Sequence, residues 1–235
     1  MKLPILCYHK VGPVAEEGRR LNIEPSRLTE HAAFFVRRGF RTVLAGDLAG
    51  EWPDRAVCFT FDDAYVSTLT HGVEAMQRAG ALGSIYAVAG LVGRASSWDT
   101  GNQRPLADWD LLLQAQEAGF EIGNHTMTHA RLGDLDRTGQ TEEIAAASNA
   151  LSERGLTQRS FCLPYGSHNP ETPLALQSAG VTVGLALSRR PALPTDNRLL
   201  LPRIVVAYGD TLPKLLYKIH IRPVLPSFRK RPDYV

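Results

Sequence analysis

The chain has 235 residues, of which 44% are hydrophobic and 21% are charged. These proportions are typical of a globular protein, and they exclude an intrinsically disordered, a collagen-like or a small disulfide-stapled chain. The formal net charge is only +2, and no nucleic-acid-binding motif is present, so we expect no nucleic-acid partner. The charge is unevenly spread, because residues 214–235 carry six basic side chains against the single acidic Asp233.

In chain order, short apolar runs alternate with amphipathic stretches. The first helix is typical of the pattern, since Leu28, Ala32 and Phe35 share one face and Gly39 ends it. The predicted elements are a strand over residues 3–8, a helix over 25–39, a strand over 56–61, a helix over 66–79, a strand over 83–89, a helix over 105–118 that begins at Pro105, a strand over 120–123, a helix over 141–154, a strand over 160–163, a helix over 171–179, strands over 181–187 and 204–206, and a final helical stripe of Leu212, Leu215, Leu216 and Ile219.

Strands that alternate with helices at this spacing predict a parallel sheet with crossover helices. Seven or eight such units favour an α/β barrel over an open sheet. We therefore expect a (β/α) barrel as a single domain over residues 1–222, followed by a basic C-terminal tail over 223–235. In that tail region Arg222, Arg229, Lys230 and Arg231 could make a weak contact with an anionic membrane or polymer, although a solvated helix face and tail is the simpler interpretation.

No segment is long and apolar enough to cross a membrane, since the longest nearly apolar run covers only residues 85–93. Residues 1–9 make a poor signal peptide, because no small-residue cleavage site follows them. We therefore expect a cytoplasmic protein, either free or peripheral at the membrane. Cys7, Cys58 and Cys162 lie in strand-like runs and are expected to be buried, reduced thiols, with catalytic or metal-binding thiolates as the alternative.

Reactive side chains follow several predicted strands directly, where functional residues of parallel α/β folds collect. Asp62 and Asp63 end the strand over 56–61, and a bound cation would relieve the repulsion between two carboxylates there. A pair of helix N-caps is the alternative interpretation. His125 and His129 follow the strand over 120–123, and at a spacing of four they could share a helical face and bind one divalent ion. Two exposed or capping histidines would be the simpler interpretation.

Two further motifs lie at the same end of the predicted barrel. Pro164, Tyr165 and Gly166 form a turn signal after a strand, which exposes an aromatic side chain and backbone N–H groups that could stabilise an oxyanion. His9 ends the first strand and is a candidate general acid. An ordinary turn and a structural histidine are the alternatives.

The four motifs together resemble the polysaccharide deacetylases, carbohydrate esterases whose shared core is the NodB homology domain. Residues 59–63 (FTFDD) and 125–129 (HTMTH) are similar to two motifs of that family, and residues 164–166 (PYG) to the end of a third. The segments 5–11 (ILCYHKV) and 161–169 (FCLPYGSHN) are closer to the exopolysaccharide and poly-N-acetylglucosamine de-N-acetylase branch. The resemblance covers residues 3–210 approximately.

The resemblance implies a metal-dependent de-N-acetylase of a polysaccharide or glycan precursor. It implies Asp63, His125 and His129 as the metal ligands, Asp62 as the catalytic base, His9 as the acid and the Tyr165 N–H as the oxyanion donor. The metal would be Zn²⁺, with Co²⁺, Ni²⁺ or Fe²⁺ also compatible with these ligands. Pro164, Tyr165 and Trp98 are expected to contact the N-acetylated glycan. Nothing in the sequence predicts the oligomeric state.

Two positions depart from the family pattern. Ala64 stands where the motif has glycine, and Cys162 stands where other branches have an arginine that orients the base; Arg203 is our candidate replacement for that arginine. His220 lacks the context of a catalytic histidine and is not expected to act. The alternatives to a glycan deacetylase are an amidase for a small cyclic or linear amide and a catalytically silent glycan-binding module.

Overall fold

The computed structural model describes residues 1–225 of the protein. In chain order its strands are β1 (Ile5–Tyr8), β2 (Lys10–Val11), β3 (Asn22–Ile23), β4 (Arg41–Thr42), β5 (Ala56–Phe61), β6 (Ser84–Ala87), β7 (Glu121–Asn124), β8 (Phe161–Cys162), β9 (Gly184–Ser188) and β10 (Leu201–Val205). Its α-helices are α1 (Val14–Glu17), α2 (Pro25–Arg37), α3 (Val73–Arg78), α4 (Trp109–Glu117), α5 (Arg137–Ser152), α6 (Thr172–Ser178) and α7 (Leu212–His220).

Seven parallel strands close into a barrel. The order β1-β10-β9-β8-β7-β6-β5 is completed by the pairing of β5 with β1, in which Leu6 lies opposite Phe59. β4 extends from β5 outside the ring, and β2 and β3 form a separate two-stranded ribbon. The predicted (β/α) barrel of about seven units is confirmed. It is distorted because no α-helix connects β9 to β10.

The barrel is filled by its own side chains, so it encloses a core and not a pore. β1, β5 and β6 are buried along their whole length. Tyr86 crosses the interior close to Gly123, where a Cβ atom would stand only 2.3 Å from the Tyr86 ring. The absence of a side chain at Gly123 therefore makes room for Tyr86, whose hydroxyl reaches Ser160 at 2.6 Å.

Several predicted element boundaries are wrong for local reasons. α4 begins at Trp109 and not at Pro105, because Asp108 caps it by accepting a hydrogen bond from the Leu111 N–H. Pro105 instead forms an isolated bridge with Ala95. α5 begins at Arg137, before the predicted start at residue 141, and the predicted helix over 66–79 contains a π-helical turn at Thr68–Gly72.

No helix among residues 1–225 is long and apolar enough to cross a membrane. All three cysteines are buried and free, as predicted. The predicted domain division at residue 222 stays a prediction. The chain is described as far as Leu225, and Arg229, Lys230 and Arg231 of the predicted tail lie outside the described residues.

Candidate active site

A cleft of about 180 Å³ opens at the end of the barrel where the strands terminate. It is lined by every predicted catalytic and metal-binding residue and by Trp98: His9, Asp62, Asp63, Trp98, His125, His129 and Tyr165. Pro164, predicted to contact substrate, is buried beneath the turn and does not line the cleft. Barrel closure thus brings together residues that are up to 156 positions apart in the chain.

Asp63, His125 and His129 form a buried cluster whose side chains point at one another. The Nε2 atoms of His125 and His129 lie 3.4 and 3.1 Å from the same oxygen, Asp63 Oδ1. That oxygen is buried, yet it has no hydrogen-bond partner of acceptable geometry. A buried polar atom without a partner normally costs about 1–3 kcal/mol, and a carboxylate oxygen placed between two imidazoles fits a cation-binding site.

The neighbours of the two histidines orient them for binding a metal. His125 Nδ1 donates to the Cys162 carbonyl at 2.8 Å, and its Nε2 is directed at Asp63. Burial lowers the pKa of His129, and the nearby Asp63 opposes this only in part, so its ring is neutral as metal binding requires. The Trp98 ring stacks on that of His129 with centroids 3.7 Å apart.

The expectation that the two histidines share a helical face is wrong. Residues 125–129 form a loop, and Thr126 and His129 have φ angles of 66° and 64° in the left-handed region. Two left-handed residues within five turn both imidazoles toward Asp63, which itself has a φ of 72°. The conformation of the loop, and not a helical spacing of four, therefore brings the two imidazole rings together. Side-chain periodicity in the sequence does not predict such a conformation.

Asp62 is held by an arginine from β10, the strand on the other side of β1 from β5. Arg203, fully buried in β10, donates from Nη1 and Nη2 to the two Asp62 carboxylate oxygens at 2.5 and 2.8 Å. Its Nη1 also donates to Thr60 Oγ1 at 3.0 Å. Burial alone would raise the pKa of Asp62, but the charge and hydrogen bonds of Arg203 hold that pKa well below its usual range. Arg203 therefore fills the role that the sequence left open at Cys162.

Two thiols complete the surroundings of Asp62. Cys7 Sγ and Cys162 Sγ each lie 3.4 Å from a different Asp62 oxygen. Burial raises the pKa of both thiols well above the usual value, so they are protonated donors and not metal-binding thiolates. Two nitrogens of the Arg203 guanidinium and the two thiols therefore all donate to the Asp62 carboxylate and fix its orientation.

His9 and Tyr165 occupy the remaining sides of the cleft. His9 Nε2 lies 3.9 Å from Asp62 Oδ2, and its side chain is 13% exposed, so it faces both the base and the opening. Tyr165 has a left-handed φ of 59°, and its ring centroid is 4.6 Å from that of His129. The Gly166 N–H donates to the Leu163 carbonyl at 2.9 Å, which closes a turn with Pro164 and Tyr165 as its central residues.

Sequence reasoning missed several residues of the cleft. Arg20, Leu21, Tyr65, Leu187 and Val205 also line it. Arg20 and Leu21 arrive on the loop that ends in the β2–β3 ribbon, and no motif signals that placement. Leu187 and Val205 could have been found, since each lies at the end of a barrel strand.

The Asp63 cluster suits a divalent ion better than the other combinations of potential ligands. Its three ligand atoms lie within 4.8 Å of one another and comprise two imidazole nitrogens and one carboxylate oxygen, a set that Zn²⁺, Co²⁺, Ni²⁺ and Fe²⁺ accept. The sets that include Asp62 also fit by distance, but there the carboxylate is already paired with the Arg203 guanidinium. The residues present therefore fit a metal at Asp63, His125 and His129.

A closed parallel barrel with a buried carboxylate–histidine centre at the ends of its strands defines a barrel enzyme with a candidate metal site. The sequence model of the polysaccharide deacetylase family matches residues 49–184, more than half of the chain. The chain belongs to this family. It is therefore a hydrolase that acts on the amide bonds of acetylated sugars.

Solved structures share the fold of this chain. IcaB from Ammonifex degensii is 25% identical, with a TM-score of 0.76, covering 91% of this chain and 95% of its own. The Streptococcus pyogenes deacetylase PplD, in complex with acetate, shares the fold at 19% identity with a TM-score of 0.77, covering 93% and 98%. The BpsB deacetylase domain from Bordetella bronchiseptica does so at 20% identity with a TM-score of 0.70, covering 87% and 96%. No curated protein sequence matches the chain.

Proposed function

We propose that this protein is a metal-dependent de-N-acetylase that removes acetyl groups from the N-acetylated amino sugars of a polysaccharide or glycan precursor. One observation carries the proposal: the unpaired Asp63 Oδ1 faces the Nε2 atoms of His125 and His129 beside an Asp62 held by Arg203. Family membership supports acetylated sugars as the substrate class. The similarity of residues 5–11 and 161–169 to the exopolysaccharide branch supports a substrate of that kind.

The chain's own residues divide the work of amide hydrolysis. Asp63, His125 and His129 would hold a divalent ion, which would supply Lewis-acid polarisation of the acetyl carbonyl and make a nearby water more acidic. Asp62 accepts the proton of the attacking water, and Arg203 keeps its carboxylate ionised and oriented toward the cleft.

Two further residues act on the tetrahedral intermediate, one while it forms and the other while it breaks down. The Tyr165 N–H donates to the carbonyl oxygen as negative charge develops, and one such donor typically contributes about 3 kcal/mol. His9, in its protonated form, donates to the departing sugar nitrogen, since an amide nitrogen leaves only as an amine. The products are acetate and a free amino sugar.

The experiment is an acetate-release assay on N-acetylglucosamine oligomers of increasing length, with and without a chelator. We expect release by the wild type that the chelator abolishes and added metal restores. Asp62→Asn should retain metal but lose about 10²–10⁴-fold in kcat, the usual contribution of a general base. Release that the chelator does not change would contradict metal dependence.

The matched control is Asp196→Asn. Asp196 also accepts two guanidinium hydrogen bonds, from Arg190 at 2.7 and 2.8 Å, but it lies outside the cleft lining. Its kcat should stay within twofold of the wild type. A similar loss in both variants would show that the effect comes from breaking an Asp–Arg pair and not from the base.

Small cyclic and linear amides serve as competing substrates in the same assay. Turnover of these amides without turnover of any oligomer would favour the amidase alternative. Stoichiometric metal without acetate release from any substrate would favour the silent glycan-binding module.

A further inference from the structure

Two arginines stand at the mouth of the cleft and have no role in the proposed chemistry. Arg20 lines the cleft directly, and its side chain is 62% exposed. The Arg131 guanidinium lies over the ring of Tyr165, 4.0 Å from its centroid, and Tyr165 also lines the cleft. Arg20 and Tyr165 line the same cleft, and Arg131 lies over the Tyr165 ring. The two guanidinium groups therefore flank one wall of the substrate site.

The hydrogen-bond donors of these arginines are largely unused. Among the described residues, no carboxylate lies within 4.0 Å of Arg131. The nearest carboxylate oxygen to Arg20 is Asp99 Oδ1 at 4.0 Å, beyond hydrogen-bond distance. The other oxygen, Asp99 Oδ2, accepts from Tyr65 Oη at 2.7 Å and Ser96 Oγ at 2.8 Å. A guanidinium stacked on an aromatic ring keeps its N–H groups in its own plane, where they can meet the oxygens of an anion.

The acidic groups inside the cleft do not cancel these charges at the mouth. Asp62 is paired with the buried Arg203, and Asp63 faces the two histidines of the candidate metal site. An incoming ligand therefore meets two guanidinium groups before it meets any unengaged carboxylate. Planar bidentate donors of this kind favour the oxygens of phosphate and carboxylate groups.

We infer that the cleft takes an N-acetylated sugar belonging to an anionic glycan, and that Arg20 and Arg131 bind a phosphate or carboxylate group of that glycan. The inference rests on the proposed function and names the substrate class of the same site. It assigns specificity to residues outside the catalytic set.

The test compares substrates that differ only in charge, using metal-loaded wild-type enzyme. One substrate is a neutral N-acetylglucosamine tetramer, the second carries a phosphate monoester, and the third carries a uronic acid carboxylate. We expect kcat/KM to be about tenfold to a hundredfold higher for at least one anionic substrate, mainly through a lower KM. The preference should shrink as salt rises from 50 to 500 mM, because exposed charges are screened.

The variants Arg20→Gln and Arg131→Gln should each bring the ratio of anionic to neutral kcat/KM closer to one. Arg154→Gln is the matched control, since the Arg154 guanidinium also lies over an aromatic ring, that of Trp109 at 5.1 Å, but outside the cleft lining. It should keep the wild-type ratio. Because the Arg20 side chain is mostly exposed, Arg20→Gln is expected to fold even if Arg131→Gln does not.

The outcomes separate this inference from the proposed function. Hydrolysis of the neutral tetramer with a wild-type ratio near one would overturn the inference and leave the deacetylase proposal standing. An unchanged ratio in Arg20→Gln would also overturn it. No acetate from any of the three substrates would instead contradict the proposed function. A preference confined to the phosphate or to the carboxylate arm would support the inference and identify the source of the negative charge.

Discussion

The two ends of the barrel both bury carboxylates, but they satisfy them differently. At the end where the strands begin, Glu121 Oε1 accepts from Ser160 Oγ at 2.7 Å, and Oε2 accepts from Ser84 Oγ at 2.7 Å and the Gly46 N–H at 2.9 Å. At the end where the strands terminate, Asp63 Oδ1 has no donor. The first carboxylate has donors for both of its oxygens, whereas the second has an oxygen that lies between two imidazoles without a donor.

Backbone strain follows the same division. Seven non-glycine residues among positions 1–225 have left-handed φ angles, and six of them line the cleft or belong to its loops: Leu21, Asp63, Ala64, Thr126, His129 and Tyr165. Such conformations cost about 1–3 kcal/mol each and persist only where the rest of the structure imposes them. Left-handed backbone thus collects at the end of the barrel where the strands terminate.

The largest stability effect is expected for Arg203→Met. It leaves the Asp62 carboxylate buried without its counter-charge, which typically costs about 3–5 kcal/mol in the free energy of unfolding. Arg190→Met breaks the partly exposed pair with Asp196 and should cost less than about 1 kcal/mol. Urea unfolding of both variants measures the difference. If both variants lost less than about 1 kcal/mol in the free energy of unfolding, the expected cost of leaving the buried Asp62 carboxylate unpaired would be wrong.

The pH dependence of stability extends the comparison to buried histidines. Burial lowers the pKa of His31 to about 4, and its Nδ1 is 3.1 Å from the Tyr8 hydroxyl. Between pH 7 and 4 the unfolded chain binds a proton at this histidine that the folded chain does not, so stability falls as the pH falls. We expect the wild type to lose about 2–3 kcal/mol more than His31→Gln between pH 7 and 4.5. Urea unfolding at the two pH values measures the difference. Equal losses of unfolding free energy in the wild type and His31→Gln would contradict this prediction.

A direct comparison of the two ends uses one isosteric variant at each. Glu121→Gln replaces one carboxylate oxygen, which accepts from the Gly46 N–H or a serine hydroxyl, with an NH2 group that cannot accept. This change should lower the free energy of unfolding by about 2 kcal/mol. Asp63→Asn, measured in metal-free protein, removes no satisfied hydrogen bond at Oδ1 and should leave stability unchanged or higher. If Asp63→Asn were as destabilising as Glu121→Gln, the proposed contrast would be wrong.

The smallest effect is expected at Ala64, which has a φ of 50° where the family motif has glycine. Ala64→Gly should raise the free energy of unfolding by about 1 kcal/mol, because glycine adopts left-handed conformations without a steric penalty. Ala179→Gly is the control, since Ala179 has an ordinary φ of −84° and gains nothing from glycine. A thermal melt in which both variants lose stability would argue against strain at Ala64.

The barrel was predictable from sequence because its strands and helices carry strong local periodicity. The candidate site residues could be located because they follow strands directly, as Asp62 and Asp63 follow β5. The pairing of Arg203 with Asp62 was anticipated only as a candidate, and it depends on barrel closure, which brings β10 and β5 to either side of β1.

Other features depend on contacts that no local pattern encodes. Arg20 enters the cleft on a long excursion between β2 and β3, and Trp98 reaches His129 because the Trp98 indole donates to the Tyr65 hydroxyl at 3.2 Å. Glu121 is a polar residue in a buried strand, and its partners Ser84, Ser160 and Gly46 meet only when the barrel closes.

The central claim is that Asp63, His125 and His129 hold a metal, and metal content tests it most directly. Protein that has been stripped with a chelator, reloaded with Zn²⁺ and desalted should contain about one ion per chain by elemental analysis. His125→Ala should contain almost none, whereas Asp62→Asn should retain the wild-type amount because Asp62 is paired with Arg203 and not with the metal. Wild-type occupancy in His125→Ala, or loss of metal in a folded Asp62→Asn, would contradict the account.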